Sequence, residues 1–475
     1  MNNQVTTYLQ AAKQRQLDEL IEWLSIPSIS TLTDHADDME KAAQWLVDNM
    51  QAAGVENIEM IRVESEPKED EPVKVNPPLI YGDWLHAGDD KPTVLIYGHY
   101  DVQPVDPLDL WETPPFEPSV RPSPKAGEDG DNLYARGSSD DKGQTFIHVK
   151  AVEALLSTTG SLPVNVKFLI EGQEESGGAA IKKYLPANLD KLAADVCLIS
   201  DTGMLTATQP LLVYGLRGMC TFEITVTGPT TDLHSGMYGG AIHNANQALC
   251  ELLAALHDKD GHITVPGFYD NVRVLDDEER ASLAKVPYRE AELLNESGAP
   301  AAYGEPDFTV VERIGARPTL EINGMWGGFI EKGFKTVIPS VAHAKVSCRI
   351  VPNQEPKRIV DLVESYLQAL APETVTVSVK ASPGSPAFLS PISLPELQAA
   401  GRAFERVFGV EPIFNVEGGS IPVVVDMQTH LKAPVVLMGF GLPDDNLHAP
   451  NEKFYLPNFY KGIETVIAFM GELVD

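Results

Sequence analysis

Three stretches constrain this chain more than any others: TVLIYG (93–98), VNVKFLI (164–170) and ADVCLIS (194–200). Each is an apolar strand-like run rather than an alternating one, and helical stretches lie between them near 140–157 and 177–185. Strands that are apolar throughout and take turns with helices belong to a sheet buried on both faces. The expectation is therefore an α/β fold whose central sheet is flanked by helices. Further helices are expected over 6–25 and 38–53, the latter stopped at Gly54.

After Asp201 the texture changes. MCTFEITVTG (219–228) alternates with period two, so one of its faces is wet. A helix over 241–256, strands near 318–324 and 342–351, a helix near 355–370 and the strand TVTVSVK (374–380) follow. That order is β-α-β-β-α-β, the ferredoxin-like arrangement. The stretch 258–315 is the least legible part. ASPGSPAFLSP (381–391) reads as a linker. Beyond it α/β texture resumes, with a helix near 394–408, the strand APVVLMGF (433–440) and a final helix near 455–472. A length of 475 residues suggests two cores rather than one. The expected organisation is one domain inserted into another: 1–212 and 382–475 as the first, 213–381 as the second.

Composition narrows the function. The formal charge of −32 repels phosphate backbones, which argues against nucleic acid as a partner, and it suits a protein that binds divalent cations. No run approaches the roughly 18 apolar residues of a membrane span, and the polar amino terminus lacks a basic-then-apolar signal segment. Cys197, Cys220, Cys250 and Cys348 lie far apart in apolar contexts, with neither metal-ligand spacing nor a disulfide framework. Reduced core cysteines in a cytoplasmic protein are the expectation.

The acidic and histidine residues fall where chemistry would need them. GHYD ends one core strand, GSSDDKG (137–143) opens the next helix, EGQEESGG (171–178) ends the following strand and ISDTG (199–203) the one after. Far downstream, PDDNLHAPNEKF (443–454) follows another core strand. In open α/β sheets the loops at the carboxyl ends of strands gather into one crevice. Carboxylates converging there repel one another and would stay protonated unless cations compensate them. Oxygen and imidazole donors without thiolate suit Zn, Mn or Co rather than an iron–sulfur cluster. Two divalent cations balance three carboxylates and a hydroxide, with His99 and His448 as one neutral ligand for each ion.

The ordered set GHYDVQP, GSSDDKG, EGQEESG, SD, DLHSGMYGG, KTVIPS, RIVPNQ, EGGSIP and HAPNEK resembles the dinuclear metallopeptidases that include aminoacylase and carboxypeptidase G. Within them it is most similar to the cytosolic nonspecific dipeptidase and carnosinase branch, over essentially the whole chain. The resemblance implies a zinc-peptidase-like α/β catalytic domain with a mixed central sheet, interrupted by a ferredoxin-like α+β lid that mediates homodimerisation. It implies two divalent ions per subunit, Zn or Mn with Co as a further option. His99, Asp140, Glu175, Asp201 and His448 would be the metal ligands, with Asp140 bridging.

Asp101 would fix the His99 imidazole, and Glu174 would be the general base acting on a metal-activated water. His234 would reach the oxyanion or substrate carboxylate from the partner subunit. Arg349 would grip the substrate's terminal carboxylate beside an anion nest formed by Gly418, Gly419 and Ser420. The implied activity is hydrolysis of the amide bond of dipeptides, a small-peptide substrate. N-acyl-amino-acid deacylation or carboxypeptidase action on small substituted amino acids is the alternative.

Overall fold

The computed structural model describes residues 3–65, 76–125 and 128–474. The chain divides into two compact units: Met1–Tyr214 with Ser390–Phe414 and Asp426–Asp475, and Gly215–Leu389 with Asn415–Val425. The segment that carries Gly418, Gly419 and Ser420 therefore groups with the second unit, although the linker reading of 381–391 leaves it with the first.

In the first unit the apolar runs form the middle of a mixed sheet. Thr93–His99 is parallel to Asn165–Glu171 on one side and to Val196–Ile199 on the other, and Val435–Leu437 is parallel to Val196–Ile199. Leu79–Trp84 adds antiparallel to Asn165–Glu171, and Glu56–Ile61 antiparallel to it. Asn165–Glu171 and Val196–Ile199 are buried at every position, as sequences without alternation require.

The helix Lys142–Thr159 is buried from Lys142 through Leu155 and ends at Gly160, whose φ of 70° supplies the left-handed cap. Phe146 on this helix stacks on Phe459, and Trp23 stacks on Trp45 beside it. Burying each such ring is worth about 1.5–3 kcal/mol, so this helix is the centre of the unit's core and a stiff base for whatever its amino end carries. A small antiparallel sheet of Ser119–Pro122, Asp131–Tyr134 and Lys453–Tyr455 ties the segment before Asp140 to the segment after His448.

The second unit is ferredoxin-like. Its four antiparallel strands lie in the order Thr319–Gly327, Val341–Ile350, Gly218–Thr227, Thr376–Ser385. Burial alternates along Gly218–Thr227, as its period-two sequence predicts. The covered face packs Phe222, Ile224 and Val346 against Leu249 and Leu252 of the helix Ala245–Ala254 and Ile359, Val363 and Leu367 of the helix Pro356–Leu370. The expected linker is a correction in part. Thr376–Ser385 runs as a strand into the Pro/Gly-rich stretch, with a register shift between Ser382 and Ser385. Pro383 is tolerated because this strand is at the sheet edge and the irregularity needs no amide from it.

Candidate metal centre

His99 is the last residue of Thr93–His99, and its ring is fully buried. Its Nδ1 lies 3.0 Å from the backbone carbonyl oxygen of Asp101 and 3.4 Å from that residue's carboxylate. A ring held from the Nδ1 side presents Nε2 to the site, the second-sphere orientation typical of histidine ligands. Asp140 lies at the amino end of the central helix, after Ser139 and before Asp141, with a cis peptide between the two aspartates. Glu174 and Glu175 open the short turn Glu174–Ser176. Asp101 fixes that turn directly: its carboxylate accepts the backbone N–H of Glu174 at 3.2 Å and of Glu175 at 3.1 Å, and the Ser30 hydroxyl at 2.6 Å. The role of Asp101 is thus broader than the histidine contact, because it positions both glutamates.

Donor atoms of His99, Asp140 and Asp201 all lie within 4.8 Å of one another, and so do donors of Asp140, Glu175 and His448. Asp140 belongs to both groups. His99 Nε2 is 3.2 Å from Asp140 Oδ1, His448 Nε2 is 2.8 Å from Asp140 Oδ2, and His448 Nε2 is 3.3 Å from Glu175 Oε1. His448 has φ of 58°, a left-handed conformation uncommon outside glycine, which aims the ring from a loop rather than from a regular element.

The electrostatics describe a site short of positive charge. Burial pushes the Asp201 carboxyl well above its usual range, with the charge of Asp140 adding to it. Burial likewise lifts Glu174 to about 7. Hydrogen bonds to Asp140 and Glu175 raise His448 to about 10. Burial works against protonated His99, but its contacts with Asp101 and Asp140 prevail and raise it well above the ordinary imidazole value.

Burial works against ionised Asp140, but the imidazoles of His448 and His99 prevail and hold it below its usual range. Divalent cations would supply the positive charge and leave the imidazoles neutral. His99 Nε2 and Glu175 Oε1 are moreover buried, and the groups nearest to them, Asp140 Oδ1 and His448 Nε2, belong to the same donor groups, as expected of atoms aimed at a shared ion. The residues fit divalent metal.

Several further residues support the donor groups, and of these Glu452, Asp445 and Gln103 escape a reading of the sequence. Glu452, fully buried, accepts the backbone N–H of Gly137 at 2.9 Å, of Ser139 at 3.0 Å and of Asp140 at 3.1 Å, and Arg136 Nη1 at 2.7 Å. One carboxylate thus shapes the whole loop that delivers Asp140. Asp445 accepts the Ser139 hydroxyl at 2.8 Å and pairs with Lys453 at 2.8 Å, whereas its more exposed neighbour Asp444 pairs with Lys125 and Lys453. Gln103 Nε2 donates to Glu175 Oε2 at 2.7 Å. Asp141 accepts the backbone N–H of His99 at 3.1 Å and the Thr145 hydroxyl at 2.8 Å, so it joins strand to helix.

The remaining expected residues lie in the second unit. His234 is exposed at the end of the short strand Leu233–His234, and its Nδ1 accepts the Gly236 N–H at 3.0 Å. Arg349, on Val341–Ile350, donates from Nη1 to Ser420 Oγ at 3.0 Å. Ser420 in turn donates to the Arg217 carbonyl, and the Gly418 carbonyl faces Arg217 Nε at 3.4 Å. The turn therefore cradles guanidinium groups.

The model of peptidase family M20/M25/M40 matches residues 95–472. The Cys-Gly metallodipeptidase of Schizosaccharomyces pombe is 36% identical over 407 residues, 84% of this chain and 83% of its own length. The human Beta-Ala-His dipeptidase is 30% identical over 480 residues, 99% of this chain and 92% of its own. The solved structure of the dipeptidase Dug1p from Saccharomyces cerevisiae superposes with a TM-score of 0.79 at 28% identity, covering 99% of this chain and 98% of that one. Because the matched region takes in every donor of both groups, from His99 to His448, the chain belongs to peptidase family M20/M25/M40.

Proposed function

We propose that this protein is a metal-dependent dipeptidase. The observation that carries the reading is Asp140, one carboxylate common to two donor groups, with Glu174 on the adjoining turn. His99, Asp140 and Asp201 would hold one divalent ion and Asp140, Glu175 and His448 the other, with Zn, Mn and Co as candidates. Bound divalent ions polarise a scissile carbonyl and lower the pKa of water.

Glu174 is the general base: it takes the proton of the attacking water and returns it to the departing amine. Its raised carboxyl suits both halves of that transfer. Asp101 keeps Glu174 and Glu175 in place through their backbone amides. Arg349, Ser420, Gly418 and Gly419 would engage the free carboxylate that distinguishes a dipeptide from an internal peptide bond, since guanidinium matches carboxylate geometry. His234 would donate to the developing oxyanion, supplied by a second copy of the chain.

The relatives named as dipeptidases support the substrate class. A cytoplasmic setting is favoured by cysteines that are all free, and among the described residues no helix is long and apolar enough to cross a membrane.

The test is to strip the protein of metal, restore Zn, Mn or Co singly, and assay dipeptides beside N-acetyl amino acids. Turnover of dipeptides that depends on added metal is expected. Glu174→Gln should lower kcat by about 10²–10⁴-fold at unchanged metal content. Hydrolysis of the N-acetyl compounds alone would move the activity to deacylation.

A further inference from the structure

The second unit contains a cavity of about 680 Å³ lined by Arg217, Arg313 and Arg349, with Arg317, Glu305 and Glu321 also on its walls. In a chain of net charge −32, arginines find carboxylates readily. Arg136 pairs with Glu452, Arg273 with Glu279 and Arg402 with Glu472. In the cavity itself Arg317 is held by both oxygens of Glu305, at 2.5 and 2.8 Å. Arg217, Arg313 and Arg349 are different: among the described residues none of them has a carboxylate at ion-pair distance.

Their surroundings make this costly to keep. Arg217 is only 9% exposed, and among the described residues its side chain donates to two backbone carbonyls, Arg317 at 3.3 Å and Gly418 at 3.4 Å. A Cβ at Gly418 would lie 2.6 Å from Arg217 Nη2, so glycine there is what lets the guanidinium fit. Arg313 donates from Nη1 to the Tyr303 carbonyl at 3.3 Å, while its Nε is buried without a hydrogen bond. Burial, and then the like charge of Arg349, lower Arg217 to about 10, with Glu321 relieving it only from beyond contact range. Arg217, a buried cation with no counter-charge, is the strongly unfavourable one of the three, since Arg313 and Arg349 are only partly buried, and an anion entering the cavity offsets that cost. One carboxylate, on Arg349 and Ser420, leaves Arg217 and Arg313 uncompensated.

We infer that this cavity takes a carboxy-terminal residue with two carboxylates, glutamate or aspartate: its α-carboxylate binds Arg349 and Ser420, and its side-chain carboxylate binds Arg217 and Arg313. The assignment of the α-carboxylate rests on the dipeptidase reading. The side-chain subsite is the new element.

The metal-loaded full chain is assayed with alanyl-glutamate against alanyl-glutamine, and titrated calorimetrically with free L-glutamate against L-glutamine. Each amide is an isostere that lacks only the charge. A preference for the acid of at least about tenfold is expected in kcat/KM and in affinity, the discrimination of a site built for a charged group. Arg217→Met and Arg313→Met should each bring the acid-to-amide ratio towards one, and Arg217→Lys should keep part of it. Thermal melting identifies any variant that fails to fold, and the remaining one then carries the comparison.

A wild-type ratio near one in both measurements overturns the inference. So does a ratio that survives both methionine variants. If glutamate binds better than glutamine yet neither dipeptide is cut, the cavity assignment stands and the dipeptidase reading falls.

Discussion

Glu452 shows how far a single side chain outside the donor groups can govern them. Its carboxylate organises the amides of Gly137, Ser139 and Asp140 and anchors Arg136. Glu452→Gln preserves size but turns one oxygen into an N–H donor facing groups that already donate. Metal affinity, measured by competition with a chelator, should fall about 10–100-fold, the usual penalty for removing a partner that orients ligands, and the metal-free protein should melt lower as well, because Arg136 loses its buried counter-charge. A lower melting temperature with unchanged metal affinity would make Glu452 merely structural.

His148 carries a pH prediction. Its ring is buried, Nε2 lies 2.8 Å from Ser200 Oγ, and burial alone lowers it to about 3 from 6.5. Between those values the unfolded chain binds a proton that the folded one refuses, so stability rises with pH there. The contribution is complete above 6.5 and is lost as pH falls through about 3. The stability difference between wild type and His148→Gln should therefore shift by about 1.4 kcal/mol per pH unit below 6.5. Urea midpoints at several pH values read this, and a difference independent of pH would refute it.

The converging donors His99, Asp140, Glu175, Asp201 and His448 were legible in the sequence because each lies in a recognisable local motif at or after the end of a core strand or before a helix. Glu452 and Arg217 were not, because their partners are backbone groups far along the chain that no local pattern announces.

At the scale of elements, the site depends on how closely the strand Thr93–His99 approaches the amino end of Lys142–Thr159. Gly98 is the point of closest approach: a Cβ there would meet Thr145 Oγ1 at 2.0 Å and Asp141 Oδ2 at 2.9 Å. Those are the atoms through which Asp141 ties the helix to the His99 amide. Gly98→Ala should cost about 1–3 kcal/mol as an overpacked core position does, and should weaken metal binding because His99 and Asp140 move apart. The double variant Gly98→Ala with Thr145→Ala, which removes the nearer obstacle, should recover part of the melting temperature. No recovery would place the damage elsewhere.

Element legibility followed length and periodicity. The long helices and apolar strands were readable, and so was the alternating Gly218–Thr227. The short strands Ser119–Pro122, Asp131–Tyr134 and Lys453–Tyr455 were not, since three or four residues cannot display a period and they are defined only by pairing across the chain. Leu79–Trp84 was missed for another reason: its LIYGDW carries Gly82 and Asp83 before the final tryptophan, residues that favour turns, and Asp83 is held in the strand by accepting from Tyr81 at 2.7 Å and Asn57 at 2.8 Å.

At the scale of the whole molecule, the second unit leaves apolar surface without cover. Ile322, Met325 and Trp326 on the edge strand Thr319–Gly327 are 43–46% exposed, and Phe329, Ile330 and Phe334 follow them. An edge strand with such side chains is a template for pairing with another chain, which monomers normally suppress with charge or proline. Trp326 is held ready by stacking on His343 at 5.0 Å between centroids, so its face is presented without loss of further side-chain freedom. We therefore expect two copies to associate through this edge.

Trp326→Glu would set two carboxylates against each other across a symmetric contact while leaving the sheet's own hydrogen bonds intact. Sedimentation should show wild type as a dimer and the variant as a monomer with an unchanged circular dichroism spectrum. The further consequence separates two roles for His234. If it serves the partner's site, the monomeric variant loses kcat, and mixing Trp326→Glu with excess His234→Ala protein restores part of it, because the mixed dimer has only one carboxylate at the contact and its His234→Ala subunit receives the intact histidine of the other copy. A fully active monomer would assign His234 to its own chain or to no catalytic role, and would leave the exposed edge as an association surface alone.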